Sequence, residues 1–354
     1  MWKILVICIV ITGLAAEDMI SYEGYKVFSI IPTTSSQLRV FNALKKANNK
    51  VDKYSFWQGP SSINKEVIIM VSPHVLSEFF EILDISNTSH KIKFNNVQKL
   101  IKKTMPKNQS QSFDFESYHT LDEIYNNLEE LAKKYSDKVQ VVVGGRTYEG
   151  REIKGVKITS GEEKPGIFIE GGMHGRDWIS PATVMYILHQ LLTSKNPDVR
   201  YVADNHNWYI FPIFNPDGYA YTFIKNRLWK KTLKPSSLHP DCIGSDPNRN
   251  WDFRWNTTGV SNNPCAEDYP GESPFSEIEM KTMSEYIKVN ARYFYAYVSF
   301  HSFGQRLMFP YGYTETHIFS YDKLYRVGLA AIAALEKVHG TKYWTGCLGE
   351  DNGM

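Results

Sequence analysis

The chain has 354 residues, a length that is enough for two domains. Hydrophobic residues make up 42% of it and aromatic residues 14%, which is ordinary for a globular protein. The formal net charge of +2 gives no electrostatic reason to expect a nucleic acid or a membrane as partner, so we expect neither.

Residues 1–16 are predicted to be a secretory signal peptide. Lys3 supplies the positive charge, residues 4–14 the apolar core, and Ala15 and Ala16 the small residues before the cleavage site. The apolar run is too short to span a bilayer, which takes about 20 residues. We therefore expect a soluble, secreted, extracellular protein. Three Asn-X-Ser/Thr triplets support secretion weakly, at Asn87, Asn108 and Asn256.

Residues 17–107 are predicted to form a small α+β domain. Strands are expected at 25–31, 54–57, 65–71 and 90–94, and helices at 36–48, 75–83 and 97–103. Residues 102–112 follow, and they are polar and basic with one proline. This composition is typical of a linker that a protease can reach, although a plain solvated connector has the same composition.

Residues 108–354 are predicted to form an α/β domain, because helical and strand patterns alternate from Tyr118 onward. The apolar run Gly166–Glu170 is typical of a buried strand. A helix is expected soon after it, with Ser180 as its N-cap and Pro181 at its first position.

His174 and Asp177 lie three residues apart just after this strand, so their side chains can converge on one cation. A catalytic zinc ion takes three protein ligands and keeps a fourth position for water. His301 closes another predicted strand at 297–302, and ligands bind beyond the carboxyl ends of strands in open α/β sheets. The alternative is that both histidines are ordinary strand-end residues with satisfied hydrogen bonds.

Several motifs, in chain order, resemble those of the zinc metallocarboxypeptidases of the pancreatic A/B type. They stand at 172–176, 215–219, 227–232, 246–251, 300–305 and 311–313. Residues 118–125 resemble the start of the mature enzyme, and residues 24–103 resemble the propeptide that caps its active-site cleft. The resemblance covers the chain from about residue 20 to its end.

The resemblance implies Zn²⁺ as cofactor, held by His174, Asp177 and His301. It implies a mixed sheet of the eight-stranded type flanked by helices, with the C-terminal part missing, preceded by the α+β propeptide domain. It also implies a monomer that acts on peptides or proteins with a free C-terminus. A trypsin-like protease would activate it by cutting the basic linker.

The resemblance also assigns substrate-binding residues, which are Arg176, Asn248 and Arg249. An arginine suits a terminal carboxylate, because its planar guanidinium matches the two oxygens. A surface ion pair is the alternative for Arg249. Cys242 and Cys265 are a natural pair in an oxidising compartment, and the family has a disulfide at the matching positions. Cys347 is then left over.

Three departures from the family pattern bear on activity. Asp177 stands where the family has glutamate, and its shorter side chain is expected to leave its oxygen roughly 1.5 Å short of a zinc ion. Lys230 stands where the family has the arginine that stabilises the oxyanion, so a tenfold to thousandfold loss in rate is expected. The family's general-base glutamate lies beyond Met354, and no residue of this chain is assigned that role.

These observations leave two hypotheses. The first is a secreted zinc carboxypeptidase precursor that removes C-terminal amino acids, in which the 354-residue chain itself is inactive or impaired. The second is a catalytically inactive secreted homologue that binds peptides or protein partners.

Overall fold

The computed structural model describes residues 19–47, 53–106, 113–159, 161 and 163–350. The predicted signal peptide and the part of the predicted linker that contains Lys107 and Asn108 lie outside the described residues. Within the described residues, no helix has both the length and the apolar character that crossing a bilayer requires.

The N-terminal unit is a four-stranded antiparallel sheet with helices. Its elements are β1 (Lys26–Ile30), α1 (Ser35–Ala47), β2 (Tyr54–Gln58), β3 (Val67–Val71), α2 (Leu76–Ile85), β4 (His90–Phe94) and α3 (Val97–Thr104). The strand order is β2-β3-β1-β4. The predicted second helix is preceded by a 3₁₀ turn at Pro73–Val75, because Ser72 accepts a hydrogen bond from the backbone of His74. The expected α+β architecture is present.

Both faces of this sheet are covered, which is why every residue of β3 is buried. Ile69 and Val71 pack with Phe28 and Phe79 in one apolar cluster. On the opposite face Ile68, Met70, Val97 and Ile101 are buried in a second cluster, against which Leu228 of the following domain packs. The N-terminal unit therefore docks on the C-terminal domain through apolar side chains.

The C-terminal domain has helices on both faces of a mixed sheet. Its elements are α4 (Leu121–Lys134), β5 (Val139–Arg146), β6 (Glu152–Ile158), β7 (Gly166–Glu170), α5 (Ile179–Thr193), α6 (Pro197–Asp204), β8 (Asn207–Phe211), α7 (Pro216–Ile224), α8 (Ile278–Asn290), β9 (Phe294–Ser299), β10 (Arg306–Phe309), α9 (Tyr321–His339) and β11 (Trp344–Cys347). The sheet order is β5-β6-β8-β7-β9, antiparallel from β5 to β8 and parallel from β8 to β9. Apolar clusters around Leu188 and around Phe168 form the core.

The mixed sheet is present as expected, with fewer strands than the eight-stranded type, whose C-terminal part we expected to be missing. Among the described residues the main sheet has five strands, and β10 pairs in parallel with β11 as a separate two-stranded sheet. Gly304 and Gln305 have positive φ values of 135° and 51°, and they turn the chain between β9 and β10. Strand β10 therefore does not pair with β9.

The start of α5 also differs from expectation. The helix begins at Ile179, and its N-cap is Trp178, which makes no side-chain capping bond. The hydroxyl of Ser180 instead accepts a hydrogen bond from the backbone of Gly172 at 3.0 Å and donates one to the carbonyl of Phe300 at 2.5 Å. It is not a cap, because it joins the segment after β7 to the segment after β9.

A buried acid at the start of α8 makes the stability of the domain pH-dependent. The side chain of Glu279 accepts a hydrogen bond from the backbone of Tyr148 at 3.1 Å. Burial raises the pKa of Glu279 to about 7, although this hydrogen bond lowers it. Because the pKa in the folded state is above that of the unfolded chain, stability is greatest below the unfolded pKa and falls as the pH rises through about 7.

We predict that a Glu279→Gln variant loses less stability than the wild type between pH 5 and pH 8. Ionising the buried carboxyl costs the wild type roughly 3 kcal/mol over this range, and the amide does not ionise. Urea unfolding at both pH values measures the difference. Glu285→Gln, at an exposed position of the same helix, is the control. An equal loss in Glu279→Gln and wild type would contradict the prediction.

Candidate metal centre

Three side chains converge at the carboxyl ends of β7 and β9. Nδ1 of His174 lies 3.2 Å from Nδ1 of His301, and Oδ2 of Asp177 lies 3.4 Å from the first and 3.7 Å from the second. A tetrahedral ion with bonds of about 2.0–2.2 Å keeps its ligand atoms roughly 3.3–3.6 Å apart. The three predicted metal ligands therefore fit one tetrahedral zinc ion.

The same distances decide whether the shorter side chain of Asp177 reaches the position of the metal. Its Oδ2 already lies within reach of both histidine nitrogens, and the backbone N–H of Ser302 donates a hydrogen bond to it at 3.1 Å. The expected gap of roughly 1.5 Å is absent, because the segments after β7 and β9 approach closely enough for the aspartate. The geometry therefore gives no reason to expect weaker zinc binding from the shorter side chain.

The charge state of Asp177 also suits a cation. Burial by itself raises the pKa of this carboxyl, but its contacts with the imidazoles of His174 and His301 lower the pKa further than burial raises it. The pKa consequently lies well below its usual value, and the carboxylate is ionised at physiological pH. An ionised carboxylate is the form that binds zinc.

Asp246 is the most important residue that the sequence did not single out, although it opens the motif at 246–251. Its side chain is fully buried, and Oδ1 lies 3.1 Å from Nε2 of His174. Burial raises its pKa, but the charges of Lys230 and His174 hold the pKa well below its usual range. A carboxylate on Nε2 fixes the proton there and leaves Nδ1 free to bind a metal. The sequence offered one sign of this residue, an acidic side chain directly before the segment Pro-Asn-Arg-Asn.

Lys230, predicted at the oxyanion position, is held against Asp246. Its Nζ donates to Oδ2 of Asp246 at 2.6 Å and to the backbone carbonyl of Glu267 at 3.3 Å. A lysine ammonium has three donors in all. One N–H therefore remains after these two bonds.

The predicted carboxylate-binding loop begins at the same buried acid. The backbone N–H of Asn248 donates to Oδ1 of Asp246 at 2.9 Å. Arg249 follows, and its Nε donates to the carbonyl of Gly259 at 2.9 Å while Nη1 donates to the carbonyl of Asn248 at 3.2 Å. The loop is thus linked to His174 through a single carboxylate.

Arg176, the other predicted substrate-binding arginine, is paired with a residue that the sequence did not indicate. Its Nη1 lies 3.0 and 3.1 Å from the two carboxylate oxygens of Glu267. Glu267 comes two residues after Cys265, which forms the expected disulfide with Cys242. The disulfide therefore anchors the segment that holds Arg176 and Lys230. Cys347 is buried and forms no disulfide with the described residues, and its thiol donates to the carbonyl of Tyr311 at 3.0 Å.

We predict that Asp246→Asn lowers the affinity for zinc about 10- to 100-fold, the usual effect of removing a hydrogen-bond partner from a metal-bound histidine. Titration against a competing chelator measures the affinity. Asp252→Asn, at an exposed position of the same loop, is the control and should leave it unchanged. An unchanged affinity in Asp246→Asn would mean that His174 does not depend on this contact.

We further predict that Asp177→Glu does not tighten zinc binding, because the aspartate oxygen already reaches the site and the buried position has little room for a methylene. Asp177→Asn should weaken binding, since an amide lacks the negative charge. The same chelator titration compares the two variants. Tighter zinc binding by Asp177→Glu would mean that the aspartate is too short for the metal, as its side-chain length led us to expect.

Comparisons with known proteins agree with this site. A family model for zinc carboxypeptidases matches residues 124–352, and one for the carboxypeptidase activation peptide matches residues 28–104. Zinc carboxypeptidase A 1 of Anopheles gambiae is 40% identical over 332 residues, covering 93% of this chain and 76% of its own. Carboxypeptidase B of Astacus astacus is 42% identical over 234 residues, covering 66% of this chain and 77% of its own.

Solved structures give the same result. Thrombin activatable fibrinolysis inhibitor matches with a TM-score of 0.85 at 29% identity, over 94% of this chain and 85% of that one. Carboxypeptidase A of Helicoverpa armigera matches with a TM-score of 0.83 at 24% identity, over 94% and 84%, which shows the shared fold. With the family models and the His–Asp–His cluster, these matches show that the chain belongs to the zinc carboxypeptidase family and is a precursor with an activation peptide.

Proposed function

We propose that this zinc carboxypeptidase precursor is secreted as a monomer, is activated by a trypsin-like protease, and then trims peptides and proteins that have a free C-terminus. The observation that carries the proposal is the position of Asp246. One buried carboxylate contacts a metal ligand, a cation and the loop that presents Arg249. The metal ligand His174, the cation Lys230 and the loop proposed to bind the substrate carboxylate are thereby connected within one site.

Zinc supplies two effects when it is bound, a lowered pKa of the bound water and polarisation of the substrate carbonyl. The side chains of this protein supply the remaining functions. Asp246 keeps the proton of His174 on Nε2, and Asp177 contributes negative charge. The third N–H of Lys230 can donate to a developing oxyanion, as an arginine does in the family.

Arg249 is proposed to bind the terminal carboxylate of the substrate. Its two hydrogen bonds to backbone carbonyls hold the guanidinium in place and involve two of its five N–H donors. The remaining donors suit a carboxylate. A carboxypeptidase must bind the free C-terminal carboxylate of its substrate, whereas other peptide-binding proteins need not. Substitution of Arg249 therefore tests the proposal directly.

We predict that Arg249→Ala weakens binding of a peptide with a free C-terminal carboxylate at least tenfold, because the charge-assisted bonds to that carboxylate are lost. Calorimetry with zinc-loaded, propeptide-free protein measures it. The same peptide as a C-terminal amide should bind weakly to wild type and variant alike. Arg254→Ala, exposed in the same loop, is the control. Equal binding of acid and amide by the wild type would sink the proposal.

The activation domain docks next to the segment that holds Arg176, which supports its role as a cap. The phenol of Tyr22 donates to Oδ1 of Asn226 at 2.7 Å, and the backbone of Ile20 donates to the carbonyl of Lys225 at 2.7 Å. Lys45 lies 3.7 Å from Asp268, the residue that follows the partner of Arg176. Removing the domain would open this side of the site.

Cleavage is proposed to occur at the end of α3. Lys102 and Lys103 are exposed in its last turn, and Lys107 follows outside the described residues. We predict that limited trypsin digestion first separates residues up to this point from the rest. Mass spectrometry of the fragments identifies the bond. An initial cut within 26–101 or beyond 121 would contradict the proposed boundary between residues 17–107 and 108–354.

We also propose that the 354-residue chain turns over slowly. Lys230 lacks the planar fork of an arginine, and two of its donors are already bonded. Near the cluster, the carboxylates of Asp177 and Asp246 bond histidines and that of Glu170 bonds Ser299, so none of these three is placed as a free general base. Because two donors of Lys230 are already bonded, this residue also favours the second hypothesis, a non-catalytic peptide-binding homologue.

We predict that Lys230→Arg raises kcat about tenfold or more if Lys230 faces the oxyanion. The assay follows release of C-terminal amino acids from blocked peptides that end in apolar or basic residues, with and without chelator. Lys281→Arg, at an exposed position of α8, is the control. Wild-type turnover equal to that of the arginine variant would remove the argument for impairment. If neither the wild type nor Lys230→Arg shows turnover that a chelator inhibits, while both still bind a free C-terminal carboxylate, the result would favour the non-catalytic peptide-binding homologue.

A further inference from the structure

An exposed loop extends from the substrate-binding arginine. Residues 252–258 lie between Arg249 and Gly259, and the hydrogen bond from Nε of Arg249 to the carbonyl of Gly259 closes the base of this loop at 2.9 Å. The residues of the loop are exposed except Trp255, which is half-buried. We call residues 252–258 the rim loop.

The rim loop contains a bond that a trypsin-like protease can cut. Arg254 is exposed, has a positive φ of 51°, and lies with its guanidinium carbon 5.2 Å from the ring centroid of Tyr313. Exposed loop tips are preferred sites of proteolytic nicking. The protease proposed to cut after Lys102 or Lys103 would therefore also meet the bond between Arg254 and Trp255. A cut there would disconnect the loop that begins at Arg249.

Two residues after Arg254 the rim loop carries the triplet Asn256-Thr257-Thr258. Asn256 is exposed with a φ of 55°, and Thr258 is exposed as well. The hydroxyl of Thr257 donates to the carbonyl of Arg254 at 2.7 Å, which fixes the turn with Asn256 at its tip. Such a triplet is an acceptor for N-glycosylation on surface loops of secreted proteins.

The other two triplets are placed differently. Asn108 lies outside the described residues and Asn87 lies in the activation domain, so only Asn256 falls within the stretch that the carboxypeptidase model matches. At Asn87 the backbone N–H bonds Asp84 and the carbonyl accepts from Gln37 at 2.9 Å. A glycan on Asn256 would remain after activation, whereas one on Asn87 would leave with the propeptide.

We propose that Asn256 is N-glycosylated and that its glycan shields the Arg254–Trp255 bond while the linker is cut. In the modification, Nδ2 of Asn256 forms a bond to the first sugar carbon of a lipid-diphosphate-linked oligosaccharide. The bond from that carbon to the lipid diphosphate breaks, and the amide proton is released. The inference rests on the proposed secretion and on activation by a trypsin-like protease.

The shielding follows from distance along the chain. A protease of this type takes the residues on both sides of the cut bond into its cleft, and Asn256 is the second residue beyond the bond. A branched oligosaccharide at that position prevents the rim loop from entering the cleft. The triplet in the linker begins at Asn108, five residues beyond Lys103, so the bonds after Lys102 and Lys103 stay accessible.

The experiment secretes the full chain from insect cells with its own N-terminus. Treatment with peptide N-glycosidase should increase the electrophoretic mobility and convert Asn256 to aspartate, which mass spectrometry detects. Asn256→Gln and Thr258→Ala should each lose this modification. Asn262→Gln, an exposed asparagine outside any triplet, is the matched control and should keep it.

Limited digestion with trypsin tests the shielding. Wild type should be cut in the linker first, whereas Asn256→Gln should also be cut after Arg254 at a rate at least tenfold higher than wild type. Adding Arg254→Gln to Asn256→Gln should abolish the second cut, which shows that misfolding is not its cause.

The outcomes separate the inference from the proposal on which it rests. Secreted protein without a glycan on Asn256 overturns the inference and leaves the carboxypeptidase proposal intact. A glycan on Asn256 with no faster cleavage in Asn256→Gln overturns the shielding. Protein retained in the cells without any glycan contradicts both the inference and the proposed secretion.

Discussion

The site depends on one buried carboxylate. Asp246 has no exposed surface, so its negative charge is stable only because His174, Lys230 and the backbone of Asn248 surround it with donors. Lys230 and the loop that starts at Asn248 thereby share one carboxylate with the metal ligand His174. A change in any of these partners alters the charge and hydrogen bonding of that carboxylate, and through it the other two.

The sheet topology brings the two histidines together. They are 127 residues apart in the chain, yet β7 and β9 are neighbouring parallel strands whose carboxyl ends meet at one edge. The hydroxyl of Ser180 then joins the segments that follow the two strands. These contacts set the separation of the ligand atoms, and that separation is what allows an aspartate to serve at position 177.

A second connected region lies around Glu267. Its carboxylate pairs with Arg176, and its carbonyl accepts from Lys230. The disulfide at Cys265 restrains the segment, and the next residue, Asp268, contacts the activation domain through Lys45. The activation domain thus contacts the same short segment that positions Arg176 and Lys230.

Local patterns were sufficient where neighbouring residues decide the outcome. The strands His90–Phe94 and Gly166–Glu170 lie where the sequence pattern predicted them, and other elements of the activation domain shifted by a few residues. Spacing and strand-end positions also indicated His174, Asp177 and His301 as candidates for a metal site, and the motifs that resemble the zinc carboxypeptidases identified the metal as zinc. The sequence by itself therefore indicated the α+β activation unit, the α/β unit and the chemistry of the metal.

Tertiary structure decided what depends on distances between remote segments. Whether Asp177 reaches the metal depends on how closely two strand ends pack, and side-chain length alone pointed to the wrong answer. The role of Ser180 as a link, the second contacts of Asp246 and Glu267, and the separate pairing of β10 with β11 arise in the same way. The partners in each contact are far apart in the chain, and only the packed sheet sets their separation.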